Sequence, residues 1–479
     1  MGDMLGKGVF MNGRSYVLAA LAATLVAAAP AEAKKKQPAP APAPAAALQM
    51  ALPNSPNGLN VRYFYERRNY APIWFRAGAG DEAVAKLVSI LRRAPVDGMA
   101  NGPQLAASVE AAVAAARTGD AMKQKEAELV LSAAWVDYVQ VLQRPNNNVI
   151  WGDPHLVLKP SHPDRSLALA TAAPSLAQHL ESVSAVNHIY AALREVAVSE
   201  AAAKGAVSDA VKLNMDRARI IPATGKFILV NSAEQRLHMY ENGRSVGSMK
   251  VVVGDKDKLG LPTPIIASTM HYAIANPYWH VPPHLIRSAV APNAARQGEA
   301  YLKAKGYEVI SDLSKNPTIL PASSVNWKAV AAGTEKVILR QKPNGENSMG
   351  KMKFPFPNRE GIFLHDTPRR EHFAKANRAI SNGCIRVEDY RKLAYWLFGR
   401  DVAAIGSDPE QHLSLPRGVP VYVTYLTMVP EASGITRFAD RYGWDRPGVM
   451  AGGMDAGTGV GAGARDAVAG GSGAGAVQQ

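Results

Sequence analysis

The chain has 479 residues, 47% of them hydrophobic and 20% charged, which allows two or three globular domains and excludes a wholly disordered chain. Lys+Arg 54 against Asp+Glu 40 gives a net charge of +14, favouring anionic partners such as nucleic acid or a cell envelope. The only cysteine is Cys384, so no intramolecular disulfide is available.

Lys7 and Arg14 form a positive leader. Residues 16–29 are an apolar run too short for a comfortable membrane span. Ala31-Glu32-Ala33 is a small-x-small cleavage site. The pattern predicts a signal peptide over 1–33, hence an exported protein with no stable membrane span after cleavage; an uncleaved anchor is the alternative. Export argues against a nucleic-acid partner. Residues 34–54, opening on Lys34-Lys35-Lys36 and alternating Pro and Ala, predict a semi-extended linker.

Residues 55–212 read as helical. Val61, Phe64 and Tyr65 recur at helical spacing, with Tyr63 and Arg67 on the other side. Pro72 ends that run, and Trp74-Phe75 is a candidate core anchor. Amphipathic or Ala-rich stretches follow at 82–91, 105–116, 123–142 and 167–193.

From residue 213 to 428, β signals replace helical ones. Short apolar runs at 227–230, 237–240 and 249–253 read as strands, and Asn242-Gly243 between the last two suits a type I′ hairpin turn. An extended segment runs from Thr263 to Ala275 and closes on Trp279, His280, Pro282 and Pro283. Residues 285–330 interrupt the pattern with helical and turn-rich sequence. Strands resume at 337–341 and 361–364, a helix is predicted over 387–398, and 421–426 is the last strand. Residues 429–479 are a polar tail, Gly/Ala-rich and expected to be disordered from about 450.

Chemistry concentrates in 362–387, IFLHDTPRREHFAKANRAISNGCIRV. A strand delivers His365, and a tight Gly383 turn delivers Cys384, which suits a thiol nucleophile activated by an imidazole base. The sharp turn at Gly383 can aim the amides of Gly383 and Cys384 at an oxyanion. Arg386 can favour thiolate or bind a substrate carboxylate. A helix starting just after Cys384 would also favour thiolate. A lone cysteine is usually a buried apolar residue, but this one lies in a polar Ser381-Asn382-Gly383…Arg386 setting. His372, among Arg369, Arg370, Glu371 and Lys375, reads as a solvated loop residue. His280 and His284 read as surface or cleft-lining, because the intervening prolines prevent a helical ligand pair. No metal site is expected: there is no second cysteine and no close ligand pair. Trp279 either lines a substrate groove or packs in a core.

His365-Asp366-Thr367-Pro368 followed by Ser381-Asn382-Gly383-Cys384-Ile385-Arg386 resembles the active-site signature of the L,D-transpeptidases with a YkuD-type catalytic domain, most of all a large periplasmic subfamily with an N-terminal helical scaffold. The resemblance implies an α+β chain: an all-helical scaffold domain at 55–212, then a mainly β, sandwich-like catalytic domain at 213–428 with a helical capping insertion at about 285–330 that can close as a lid. It implies that the main-chain carbonyl of Asp366 orients His365, that Ser381 and Asn382 support the turn, and that no cofactor is needed. Expected partners are peptidoglycan stem peptides, a donor tetrapeptide and an acceptor stem, with carbapenem β-lactams as inhibitors. The implied reaction is 3→3 cross-linking through a Cys384 thioester with release of D-Ala. An L,D-carboxypeptidase or hydrolase using the same thioester, and a non-catalytic wall-binding protein, stay open. Members of this subfamily often carry a separate peptidoglycan-binding module, and 199–210 shows no clear example of one.

Overall fold

The computed structural model describes residues 55–77, 80–402 and 406–449. The expected signal peptide, the linker at 34–54 and the tail beyond 449 lie outside the described residues. The N-terminal part is helical: α1 (Gly58–Glu66), α2 (Gly80–Arg93), α3 (Gly102–Ala116), α4 (Ala121–Leu142), α5 (Pro163–Ala172), α6 (Leu176–Ala185), α7 (His188–Lys204) and α8 (Asp209–Ala218). Side-chain caps set several starts. Asp120 accepts from the Met122 and Lys123 amides, Ser175 from Gln178 and Asn187 from Tyr190. The α1 pattern is as read: Val61, Phe64 and Tyr65 are buried while Tyr63 is exposed. Trp74 is buried, but Phe75 is 37% exposed, so only the first of the pair anchors the core.

A buried carboxylate fixes the loop that carries Trp74. Glu128 on α4 accepts the amides of Ile73 (2.9 Å), Trp74 (3.0 Å) and Phe75 (2.8 Å) and the Tyr65 hydroxyl (2.6 Å). Such a group is tolerated inside only because these donors replace its water.

The C-terminal part is built on strands β2 (Lys226–Asn231), β3 (Arg236–Glu241), β4 (Arg244–Gly254), β5 (Ile266–Ala275), β10 (Met352–Pro355), β11 (Phe363–His365), β13 (Ile385–Val387) and β14 (Gln411–Thr424). They hydrogen-bond in the order β5-β10-β11-β13-β4-β3-β2-β14, β14 pairs back onto β5, and the short β12 (Ala379–Ser381) pairs beside β4. The expected sandwich is therefore one continuous sheet curled until it closes around a single core. β1 (Ile150–Trp151), from the scaffold half, adds parallel to β5. The predicted hairpin joins β3 to β4, with both Asn242 (φ 49°) and Gly243 (φ 81°) at positive φ, as a type I′ turn requires.

Both faces of β2 are buried. Ile228 and Val230 point into the closed sheet, while Phe227 and Leu229 join the scaffold's apolar core. This is why the strand reads as an unbroken apolar run rather than an alternating one. The scaffold and the sheet thus share a core, and α8 runs across the boundary expected at 212/213.

Two further departures have physical causes. Residues 429–449, assigned to the tail, form a hairpin of β15 (Met428–Glu431) and β16 (Gly434–Arg437), followed by buried Tyr442 and Trp444. Arg217 on α8 holds them, pairing with Asp445 at 2.6 Å and donating to the Tyr425 carbonyl at 3.0 Å. The insertion is mixed rather than helical. Its helices α9 (Ala291–Lys305) and α10 (Trp327–Ala332) pack with a four-stranded sheet, β6 (Trp279–His280), β9 (Ile338–Gln341), β7 (Tyr307–Ile310) and β8 (Ile319–Leu320), around its own apolar cluster.

Candidate active site

The site lies on the outer face of β10, β11 and β13. Phe354, Leu364 and Ile385 are fully buried inside the closed sheet. Alternation then turns their neighbours Lys353, Phe363, His365 and Arg386 to the opposite face, while Cys384 sits just before β13 and packs partly against the inner cluster. Register sets them side by side: Lys353 is opposite His365 on β10–β11, and His365 is opposite Arg386 on β11–β13. Cys384 precedes Arg386 by two residues, and its thiol senses both the Lys353 and Arg386 charges.

The turn before Cys384 is heavily braced. Gly383 has φ 104°, a conformation that disfavours any side chain. Ser381 Oγ donates to the Cys384 carbonyl at 2.7 Å and accepts the Gly383 amide at 3.2 Å. Thr263 Oγ donates to the Gly383 carbonyl at 2.7 Å and accepts the Gly254 amide at 2.8 Å. Tyr442 then ties this loop down, donating to the Gly254 carbonyl at 2.8 Å. Asn382 is the half-buried tip of the turn. The Gly383 amide is thus already engaged by Ser381.

His365 is 3% exposed, and its Nδ1 lies 2.6 Å from the Asp366 main-chain oxygen. A carbonyl only accepts, so Nδ1 carries the proton and Nε2 presents a lone pair. Burial, followed by the Arg386 charge, pushes this imidazole down to about 3, against the opposing Asp366 hydrogen bond. The Asp366 side chain faces elsewhere, accepting the Lys351 amide at 2.8 Å and pairing with Arg370. Burial raises its carboxyl above the usual range.

Cys384 is half-buried, with Sγ 3.7 Å from the Gly361 carbonyl. Burial raises its thiol, while the Phe363 amide and the Lys353 and Arg386 charges act to lower it. No helix terminus assists. β13 follows Cys384 directly, and α11 (Tyr390–Phe398) starts six residues later under its own Asp389 cap. The helix expected from 387 is displaced because residues 385–387 are claimed by sheet pairing with both β11 and β4.

His372 is not a solvated residue. Its Nδ1 accepts from Arg386 at 2.8 Å and steadies that guanidinium beside Cys384. Trp279 packs against the insertion's apolar cluster. His280, next in the strand, senses Lys353; desolvation first, then the Lys353 and Arg340 charges, bring it down to about 4. Among the described residues, no cluster of three or more His, Cys, Asp or Glu is placed to hold a metal.

Sequence reasoning missed Lys353, Thr263 and Tyr442. Lys353 stands in an alternating apolar strand, Met352-Lys353-Phe354, and an isolated lysine there was the one available signal. Thr263 and Tyr442 reach the turn only through tertiary contacts.

Residues 225–423 match the family model of the L,D-transpeptidase catalytic domain (YkuD), and residues 60–196 match the model of the Scaffold domain. Residues 225–423 thus carry an L,D-transpeptidase catalytic domain, on the same chain as a helical scaffold domain. A curated Haemophilus influenzae protein named "Putative L,D-transpeptidase" is 27% identical over 281 residues, covering 57% of this chain and 55% of the relative. The chain therefore spans about half the length of the curated relative it matches. Among solved structures, the Ldtfm-avibactam carbamoyl enzyme is 12% identical with a TM-score of 0.21, covering 43% of this chain and 50% of that one. The L,D-transpeptidase from Mycobacterium smegmatis and that of LdtMt1 in complex with imipenem are each 13% identical with a TM-score of 0.21, covering 42% of this chain and 60% of theirs. Among the described residues, no helix is long and apolar enough to cross a membrane.

Proposed function

We propose that this protein is an exported, periplasmic L,D-transpeptidase that forms 3→3 cross-links between peptidoglycan stems. Cys384 Sγ attacks the carbonyl of the third residue of a donor tetrapeptide, and its proton passes to His365 Nε2. The C–N bond to D-Ala breaks as His365 returns that proton to the leaving nitrogen, leaving a thioester. The side-chain amine of a second stem attacks the thioester, loses a proton to His365, and releases the thiol. The amide of Cys384 donates to the developing oxyanion.

One observation carries this reading: Cys384, just before β13, and His365, at the end of the paired β11, both sense the Arg386 and Lys353 charges, with the Asp366 carbonyl holding the proton on Nδ1 and leaving Nε2 as the base. Lys353 and Arg386 support it by acting against the burial that raises the thiol. Neutral His365 suits a base better than a resting ion pair, because two nearby cations oppose imidazolium.

The test is twofold. Incubation with a carbapenem should add one inhibitor mass to the wild-type protein and none to Cys384→Ala. With purified tetrapeptide stems, the wild type should release D-Ala and yield a dimer mass that Cys384→Ala does not; equal cross-linking by the two proteins rejects the mechanism. Release of D-Ala with only tripeptide product would replace transfer by hydrolysis.

A further inference from the structure

Lys353 enters the proposed chemistry only through its charge on the Cys384 thiol. Its ammonium lies 4.2 Å from the centroid of the Phe363 ring, a cation–π contact that aims it along the outer face of β11. Among the described residues it makes no hydrogen bond or ion pair. Glu410 is the acid it senses most, yet that carboxylate accepts the Tyr278 amide at 2.5 Å. Arg386 differs, since His372 already engages its guanidinium. His280 faces Lys353 from the insertion and offers no negative charge.

The strand order gives this free cation a direction. β11, with His365, lies between β13, with Arg386 and with Cys384 just before it, and β10, with Lys353. Neighbouring strands are about 4.8 Å apart. A donor carbonyl attacked from the β13 side must place its leaving nitrogen against His365 to be protonated. The departing residue then continues past β11 towards β10. Its α-carboxylate is two bonds beyond that nitrogen, within the territory of the Lys353 ammonium.

We propose that Lys353 recognises the free α-carboxylate of the departing C-terminal residue, making it a specificity-determining residue for donors that end in a carboxylate. This rests on the acyl-transfer reading above. An unpaired ammonium on a half-buried face binds such a carboxylate by a charge-assisted hydrogen bond. A donor ending in a carboxamide loses that bond and leaves the ammonium without a counter-charge.

The experiment compares two synthetic tetrapeptide donors, one ending in D-alanine and one in D-alaninamide, with the wild type, Lys353→Met and Lys353→Arg. Released D-alanine or D-alaninamide is measured. The wild type should favour the acid by roughly 10- to 100-fold in kcat/KM, the worth of one hydrogen bond to a charged group. Lys353→Met should bring that ratio close to one, mainly by raising KM for the acid, and Lys353→Arg should keep most of it. A wild type that treats both donors alike overturns the proposal without any variant. So does a Lys353→Met protein that slows both donors equally, the result expected if the lysine only supports the thiolate. If the wild type yields neither product nor a Cys384 adduct from either donor, the acyl-transfer reading itself fails, an outcome visible in the absolute rates rather than in the ratio.

Discussion

The scaffold and the catalytic face both bury charged groups, and they treat them in opposite ways. In the scaffold, Glu128 is surrounded by three amides and a hydroxyl, and Asp97 accepts from Tyr138 at 2.8 Å and Tyr190 at 2.9 Å. On the outer face of the sheet, Lys353 has no hydrogen-bond partner among the described residues, and His365 keeps Nε2 free. Satisfied polar groups hold a loop or helix in one place. Unsatisfied ones store the capacity to bind or react, and the surrounding fold must compensate for their burial. The turn at Cys384 belongs to the first kind in its backbone and to the second in its side chain.

The largest expected effect strikes the unsatisfied side. His365→Ala should lower turnover by roughly 10²- to 10⁴-fold, the usual worth of a general base, while the protein stays folded. A companion measurement uses pH. The native imidazole takes up a proton only near pH 3, whereas an unfolded one does so near 6.5. Above that unfolded value the group adds no pH dependence. As pH falls below it, the unfolded state binds the proton first and stability declines, levelling off near the folded value. His365→Asn should therefore lose less stability than the wild type between about pH 6.5 and pH 4 in urea titrations. Parallel curves would show that the site does not hold His365 neutral.

The satisfied side should respond in stability and not in chemistry. Glu128→Ala orphans the amides of Ile73, Trp74 and Phe75 together, and should cost about 3 kcal/mol or more in denaturant titration. The alkylation rate of Cys384 should remain as in the wild type. Gly383→Ala tests where the two behaviours meet. The new Cβ would lie 3.1 Å from Ile362 Cδ1 at φ 104°, so a loss of roughly 1–3 kcal/mol is expected, with slower acylation by a carbapenem. Normal acylation by this variant would mean that the turn is not set by its glycine.

What could be read in advance follows the same division. His365, Ser381, Gly383 and Cys384 occur close together in sequence, and their roles depend on local geometry: a strand end, a hydroxyl in a turn, a positive φ. The Asn242-Gly243 hairpin was legible for the same reason. Lys353 was not, because it becomes part of the site only when β10 pairs with β11. His372 was misread because Arg386 reaches it across the loop. Val387, expected to open the helix that follows, ends a strand instead, because residues 385–387 pair with both β11 and β4. Residues 429–449 look polar in sequence, yet Tyr442 and Trp444 are buried by contacts with a helix more than 200 residues earlier, Arg217 donating to the Trp444 carbonyl.

The smallest effect concerns a single hydroxyl. Asp97 is 1% exposed, and burial raises its carboxyl despite Arg194 and two tyrosines acting to lower it. Tyr138→Phe removes one of those donors and leaves the ring packing in place, with Tyr190 still bonded at 2.9 Å. The expected loss is about 1 kcal/mol, read as a shift of the urea midpoint at constant slope. Because one acceptor loses one of several donors, the Asp97 carboxyl should rise further, so the loss should be smaller at acid pH, where the native carboxyl is already protonated. A Tyr138→Phe change that instead altered turnover would break the division drawn here, since it would connect a satisfied scaffold network to the reacting face.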